Sequence, residues 1–487
     1  MSLKAKLRGP ATSIDDQVES FATDRVPTNQ RWPIPAISVV LLGGATAMFW
    51  FTYGAQHLFL VGFPLILIPI GYFVIGAVLT GMLTMRVASR EGLSPNLLSR
   101  GLGFGSRGAA VTSFIYGINY VYYFLFEGTI VSHAIAIYFE IPIDSFNGTL
   151  IYAAFGLVTI AFAWRGMHAM SFLQKWGFPF FVITVGWAVY IFSRDRDLVG
   201  IGDWTATQPL TFAAMMSALS LANGQVIFQG LMATDYGRFA SQRIRYRGTA
   251  SIMILELIPM LIVIGLGCFF GINLYSELSG PDAQSYAQDP GYLFVNVIGL
   301  LGVILVVVTQ IRVNVMNLYS GSIALASGFE VAAKIKPGRP WWMFLIWGVG
   351  VLFYVTNVLN HLGTFLAIAG VLTNTWVLII LADYFVCRRW MKLGKPENVE
   401  FHEKEVPKWN PCGLTSLGVA VTIGAMGIIG IYPIYFASFV AMIVGPLIHI
   451  ALTRATGGRY YTPKRTATQT EVNALDEADD DHDPLSV

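Results

Sequence analysis

The segment Thr309 to Ser322, TQIRVNVMNLYSGS, sets amides and a guanidinium into a run otherwise apolar enough to cross a bilayer. At helical spacing Gln310, Asn314, Asn317 and Gly321 share one face, while Arg312 points to the opposite side. Polar groups at membrane depth are costly, so they face a bundle interior, a cavity or a solute pathway. The competing use is helix-to-helix glue, in which each amide simply bonds a neighbour.

A second polar stripe lies in FIYGINYVYYFLFEGTIVSH. Tyr116, Tyr120, Tyr123 and Glu127 recur there at spacings of four, three and four, with Asn119 beside them. Aromatic rings can stack on a flat heterocycle while an amide and a carboxylate bond its edge. Tyrosines alone would more simply serve packing. Glu127 changes the reading, because an isolated buried carboxylate needs a partner or a proton. Arg312 is the partner expected by depth, either in a static ion pair or beside a titrating, gating carboxylate.

Composition identifies the elements that must position these stripes. The 487 residues are 55% hydrophobic and 12% charged, against about a quarter charged in soluble globules. The chain is therefore expected to be an all-α integral membrane protein. Twelve apolar runs approach spanning length, the first at 34–60, the third at 108–138, the sixth at 210–234 and the eighth at 292–327. The polar start is too long for a cleaved signal peptide, so the first span serves as the insertion signal.

With the first terminus inside, the inward loops collect Arg86, Arg90, Arg100 and Arg107, then Arg238, Arg243, Arg245 and Arg247, then Arg388, Arg389, Lys392 and Lys395. Outward loops carry almost no basic residues, Arg194 and Arg196 excepted, which is the positive-inside pattern. Both termini are placed in the cytoplasm and the protein in the plasma membrane, the inner membrane of a bacterium.

Two spans contain helix-weakening pairs, Gly43-Gly44 in the first and Asn223-Gly224 in the sixth. Interrupted helices at corresponding places in two five-helix halves point to a transporter built from inverted repeats, although each glycine alone would more simply serve close packing. The resulting division is a tail at 1–33, repeats at 34–193 and 194–384, a loop at 385–412, two further spans within 413–453 and a solvated acidic tail at 454–487.

Other features exclude functions. A net charge of +2 without a basic block gives no reason to expect nucleic acid. Cys268, Cys387 and Cys412 are scattered, His133, His168 and His361 lack ligand spacing, and no hydrolase motif is visible. No enzyme activity, metal or cofactor is expected. GLGFGSRG at Gly101 to Gly108 follows a membrane helix and not a strand, so the dinucleotide reading fails its context. Glu256, just before Pro259, is within reach of a loop arginine. Trp50, Gln56 and Gln229 are further candidates to line a site.

The chain resembles the nucleobase:cation symporter-1 family, the cytosine and purine permeases with their hydantoin and allantoin relatives, from about Arg25 to Arg389. The resemblance rests on LSRGLGFGSRGA at Leu98 to Ala109, ATDYGRF at Ala233 to Phe239, TQIRVNVMNLYSGS, and LADYFVCRR at Leu381 to Arg389. It implies a LeuT-type 5+5 inverted repeat plus two C-terminal helices, with a planar heterocycle held between the first, third, sixth and eighth helices. Asn314 and Asn317 match ring-bonding amides of such permeases, Asn119 and Tyr116 the third-helix polar and aromatic positions, and Gly224 and Gln225 the sixth-helix break.

The chain also departs from the pattern. Hydantoin permeases sandwich their substrate between tryptophans on the third and sixth helices, where this chain has Ile115-Tyr116 and Gln225. Sodium-coupled members place two hydroxyl side chains before the first eighth-helix asparagine, where this chain has Arg312 and Val313; a guanidinium repels Na⁺.

The expected function is import of a nucleobase or related small heterocycle by a monomeric secondary transporter. Coupling is expected to H⁺ more than to Na⁺, with Glu127 as the candidate proton carrier. The alternatives are an amino acid or amine carrier of the same fold and a non-transporting ligand sensor. The sensor would need a signalling domain that neither tail is long enough to fold.

Overall fold

The computed structural model describes residues 24–461 apart from 166, 195, 336, 337, 357, 396 and 397, and the backbone alone at 39, 40, 42, 167–171 and 339. Most of both expected tails, and the side chain of His168, lie outside the described residues.

In hydrocarbon a chain must satisfy its backbone internally, which a helix does within one segment. The apolar runs accordingly form α1 (Ile34–Ala45), α2 (Phe49–Val61), α3 (Leu67–Glu91), α4 (Ala109–Tyr138), α5 (Phe146–Trp164), α6 (Met167–Arg194) and α7 (Phe212–Gly237). They continue as α8 (Tyr246–Glu277), α9 (Pro290–Ile298), α10 (Leu300–Ala333), α11 (Arg339–Tyr354), α12 (Val358–Trp390), α13 (Pro411–Ile428) and α14 (Ala437–Ala455). Large apolar side chains such as Ile75, Ile183 and Leu352 face outward, the surface expected of a protein in lipid.

Among the described residues nine helices are long and apolar enough to cross a membrane, and the bent α1–α2 pair makes a tenth. The expected twelve exceed this count because α7, although 26 residues long, is diluted by amides and hydroxyls, and α11 has only 16 residues. The expected eighth run also divides. Gly299, at φ 55°, separates α9 from α10 in a conformation that glycine adopts without strain.

The first span is interrupted as expected, but just beyond the glycine pair. Thr46 to Met48 separate α1 from α2, whose axes differ by 61°. Gly43 and Gly44 lie in the last turn of α1, where added Cβ atoms would meet Gln174 Nε2 at 2.5 Å and Met232 Cε at 3.1 Å. They let α1 approach its neighbours closely.

The expected break in the sixth span is not formed: α7 runs unbroken through Asn223 and Gly224. A Cβ on Gly224 would meet the Leu366 carbonyl oxygen of α12 at 2.5 Å, so this glycine permits close packing. Asn223 donates to Ser438 Oγ at 2.9 Å and accepts from Tyr72 Oη at 2.7 Å. Its side chain binds other helices and leaves its own backbone helical.

The glycine-rich loop also finds its use in packing. Ser106 N and Arg107 N donate to the Pro407 and Lys408 carbonyls at 2.9 and 2.8 Å, and Asn410 N returns to Phe104 O at 3.0 Å. Arg388 bonds Gly101 O and, through Nε, Asp383 Oδ1 at 2.7 Å. His449 Nε2 and Tyr461 Oη close on Asp383 Oδ2 at 3.0 and 3.1 Å. Two of the sequence motifs thereby clasp one another at one end of the bundle.

Candidate functional site

At the gap between α1 and α2 the regular helical bonding stops: Gly44 O accepts from Ala47 N at 3.3 Å, and Trp50 N and Phe51 N turn to Ala47 O and Met48 O at 3.2 and 3.0 Å. Each end meets a side chain of matching charge. Arg312 Nη2 donates to Thr46 Oγ1 at the carbonyl end. Its guanidinium stands 5.9 Å from the Phe181 ring centroid, and Nε and Nη1 have no hydrogen-bond partner among the described residues. At the other end the Glu127 carboxylate accepts from Gln310 Nε2 and lies near the Phe49 backbone N–H.

The expected pairing of Glu127 with Arg312 is therefore not made. Gln310 and Arg312 project from opposite sides of α10, so Glu127 meets the amide while the guanidinium turns toward Thr46 and Phe181. Glu256 also lacks its expected arginine: both carboxylate oxygens are buried without a partner among the described residues. His133 is buried against Asp289, with Nδ1 to Oδ2 2.6 Å, whereas His361 is exposed.

The two polar stripes zip α4 to α10. Gln310 reaches Glu127, Asn314 Nδ2 donates to Phe124 O at 3.0 Å, and Gly321 leaves room for the Tyr120 Cβ. Gln310 and Asn314 thus make helix-to-helix bonds. Asn317 differs, being 8% exposed with its one amide bond, of 3.1 Å, directed to Asn314 Oδ1. It is the amide best placed to offer a ring its remaining donor and acceptor.

The tyrosines divide between two partners. Tyr123 Oη accepts from Gln225 Nε2 at 2.6 Å, and Gln229 Nε2 donates to Gln225 Oε1 at 3.4 Å. Tyr116 Oη donates to Asp235 and lies 2.9 Å from Tyr120 Oη. Asn119 Nδ2 binds Ile115 O and Thr373 Oγ1, leaving Oδ1 buried without a partner among the described residues. Trp50 Nε1 is held by Gly44 O at 3.0 Å.

A cavity of about 80 Å³ opens at the Arg238 end of α7, lined by Tyr116, Asp235, Arg238, Tyr319 and Ser320 among others. Asp235 and Thr46 are the groups that sequence reasoning missed. Asp235 lies in the segment ATDYGRF, and its signal was a carboxylate in the last turn of α7. Thr46 carried no local signal, because its partner comes from another helix.

A model of permeases for cytosine and purines, uracil, thiamine and allantoin matches residues 27–393. The chain belongs to this permease family. No curated protein matches the permease. Its fold resembles that of Mhp1, a nucleobase-cation-symport-1 family transporter, in a closed conformation with bromovinylhydantoin bound: 16% identity, 96% of this chain and 99% of that chain covered, TM-score 0.68. The inward-facing conformation of Mhp1 gives 14% identity, 90% and 96% coverage and a TM-score of 0.65.

A Na⁺-coupled sialic acid symporter in a substrate-bound outward-open state follows at 12% identity, 94% coverage of each chain and a TM-score of 0.56. The permease is a multi-pass membrane protein and a secondary transporter.

Proposed function

We propose that the permease imports a nucleobase or related small nitrogen heterocycle, such as cytosine, a purine or allantoin, by alternating access. In this reading twelve spans form a 5+5 inverted repeat with two added helices, both termini are cytoplasmic, and the protein works as a monomer in the plasma membrane. The substrate lies near the α1–α2 gap, with Asn317 on its edge and Tyr116, Asn119, Tyr120, Tyr123 and Gln225 around it. The binding free energy that differs between the open states drives the rocking of one bundle against the other.

The observation that carries the coupling is the Arg312 guanidinium seated on Thr46 in the gap of the first span. A fixed positive charge there repels Na⁺, so the gradient used is that of H⁺. Glu127 acts as a gating group beside the Phe49 N–H at the start of α2. Its bond to Gln310 also argues against an amine substrate, which would need that carboxylate free.

The test is uptake of radiolabelled cytosine, uracil, adenine, hypoxanthine, allantoin and hydantoin into proteoliposomes under imposed H⁺ or Na⁺ gradients. Accumulation of one heterocycle that requires Asn317 and follows H⁺ supports the reading. Uptake that collapses on removing Na⁺ at fixed pH and membrane potential overturns it.

A further inference from the structure

Two carboxylates are deeply buried on α4 and α8, near the broken span, and their surroundings are opposite. Glu127 is held by the Gln310 amide, with the Phe49 N–H close by. Glu256, 1% exposed on α8, has no donor for either oxygen among the described residues. A carboxylate ion without donors in an apolar interior is strongly disfavoured, whereas the neutral acid is tolerated.

Among the described residues, none of the hydrogen bonds and ion pairs gives Glu256 a compensating cation. It follows Ile252 and Met253 on a face of α8 that packs with Ile37 and Leu41 of α1, Met85 of α3 and Ala233 of α7. The sequence of α1, IPAISVVLLGGA, has no titratable side chain. On α3, Arg86 is engaged by the Gln242 carbonyl at 3.1 Å and lies 6.0 Å from the Tyr246 ring centroid. On α7, Tyr236 is near enough to sense the Glu256 charge, and Asp235 is bonded to Tyr116. On α2, Tyr53 and His57 are the titratable groups, and both His57 nitrogens lie against backbone carbonyls.

We infer that Glu256 is the group that carries the coupling proton and releases it to the cytoplasm when α1 leaves its seat. With α1 seated the carboxyl is sealed and neutral. When the half-helix swings away, water reaches the face that Ile37 and Leu41 had covered, the O–H bond breaks, the proton passes to water and the carboxylate is hydrated. The break after Ala45 frees α1 to move without α2.

This inference rests on the proton-coupled reading above, and one experiment separates the two. Purified full-length wild type, Glu256→Gln and Glu127→Gln are compared by infrared difference spectroscopy between acidic and alkaline buffer. The same three are reconstituted and assayed for H⁺-driven accumulation and for exchange of whichever heterocycle of the panel wild type accumulates. The expected result is a protonated-carboxyl band that persists in Glu127→Gln and is lost in Glu256→Gln, which still exchanges substrate but no longer accumulates it.

An unchanged band, or H⁺-driven accumulation by Glu256→Gln equal to wild type, overturns the role of Glu256 and leaves proton coupling standing. Wild-type uptake indifferent to the H⁺ gradient overturns both. Exchange by Glu256→Gln serves as the control for folding.

Discussion

Gln310 and Arg312 stand two residues apart on α10 and reach the two sides of the break in the same helix. Gln310 fixes Glu127, whose carboxylate lies near the Phe49 N–H at the start of α2, while Arg312 holds Thr46 at the end of α1. One turn of the eighth span thereby governs both half-helices of the first.

Replacing Arg312 removes the cation from the α1 end of this arrangement. Arg312→Ala is expected to lower uptake by about tenfold or more, the effect of losing about 1.4 kcal/mol where the gap must close. Arg312→Lys keeps the charge but loses the planar fork, so it restores only part of the activity. Initial uptake rates at matched amounts of reconstituted protein check the order wild type, Lys, Ala.

Glu127→Ala removes the carboxylate that the Gln310 amide bonds. Leaving a buried donor unpaired costs about 1–3 kcal/mol, so the purified variant should melt below wild type. Glu127→Gln keeps an acceptor for the Gln310 amide and should lose less. Thermal unfolding in one detergent decides between them.

Asn314 and Asn317 are chemically identical and should fail differently. Asn314→Ala leaves the Phe124 carbonyl without its 3.0 Å donor and is expected to lower stability. Asn317→Ala should leave the melting temperature within a few degrees, since that amide makes one bond, to a neighbour on its own helix, yet abolish saturable uptake. Equal loss of stability in both variants would remove Asn317 from the substrate site.

Gly224→Ala tests the close approach of α7 to α12. The new Cβ would sit 2.5 Å from the Leu366 carbonyl oxygen, and overpacking of this kind costs about 1–3 kcal/mol. A variant as stable as wild type would return Gly224 to the hinge role that its sequence suggested.

Outside the membrane, Arg31 makes a comparable multiple contact. Its guanidinium donates to the carbonyls of Ser89 at 2.8 Å, Arg238 at 2.5 Å, Ala240 at 2.9 Å and Val26 at 2.9 Å. Burial first, then the neighbouring Arg25, pull its pKa down to about 10 against the opposing effect of Glu91. It is therefore charged throughout the neutral range, and lowering the pH from there cannot release it. Arg31→Ala should loosen the chain before α1, seen as faster hydrogen exchange in α1 at unchanged exchange in α13.

Much of this arrangement was legible in the sequence because it is periodic. The stripes on α4 and α10 follow from helical spacing, and the interruption of the first span was read within a few residues. What failed was non-local. Asn223-Gly224 has turn chemistry, but three other helices use its donors, acceptors and missing Cβ, and these contacts keep α7 straight. Glu127 and Arg312 share a depth but not a direction, and only the rotation of α10 against α1 and α4 reveals it.

The closure of Tyr461 on Asp383 bears on how the permease is handled. A reporter or affinity handle joined directly after α14, or a truncation there, would remove a hydroxyl from a buried carboxylate that Arg388 and His449 also share. Handles belong beyond Tyr461, and a fusion placed earlier would report on a damaged clasp when the aim was to observe transport.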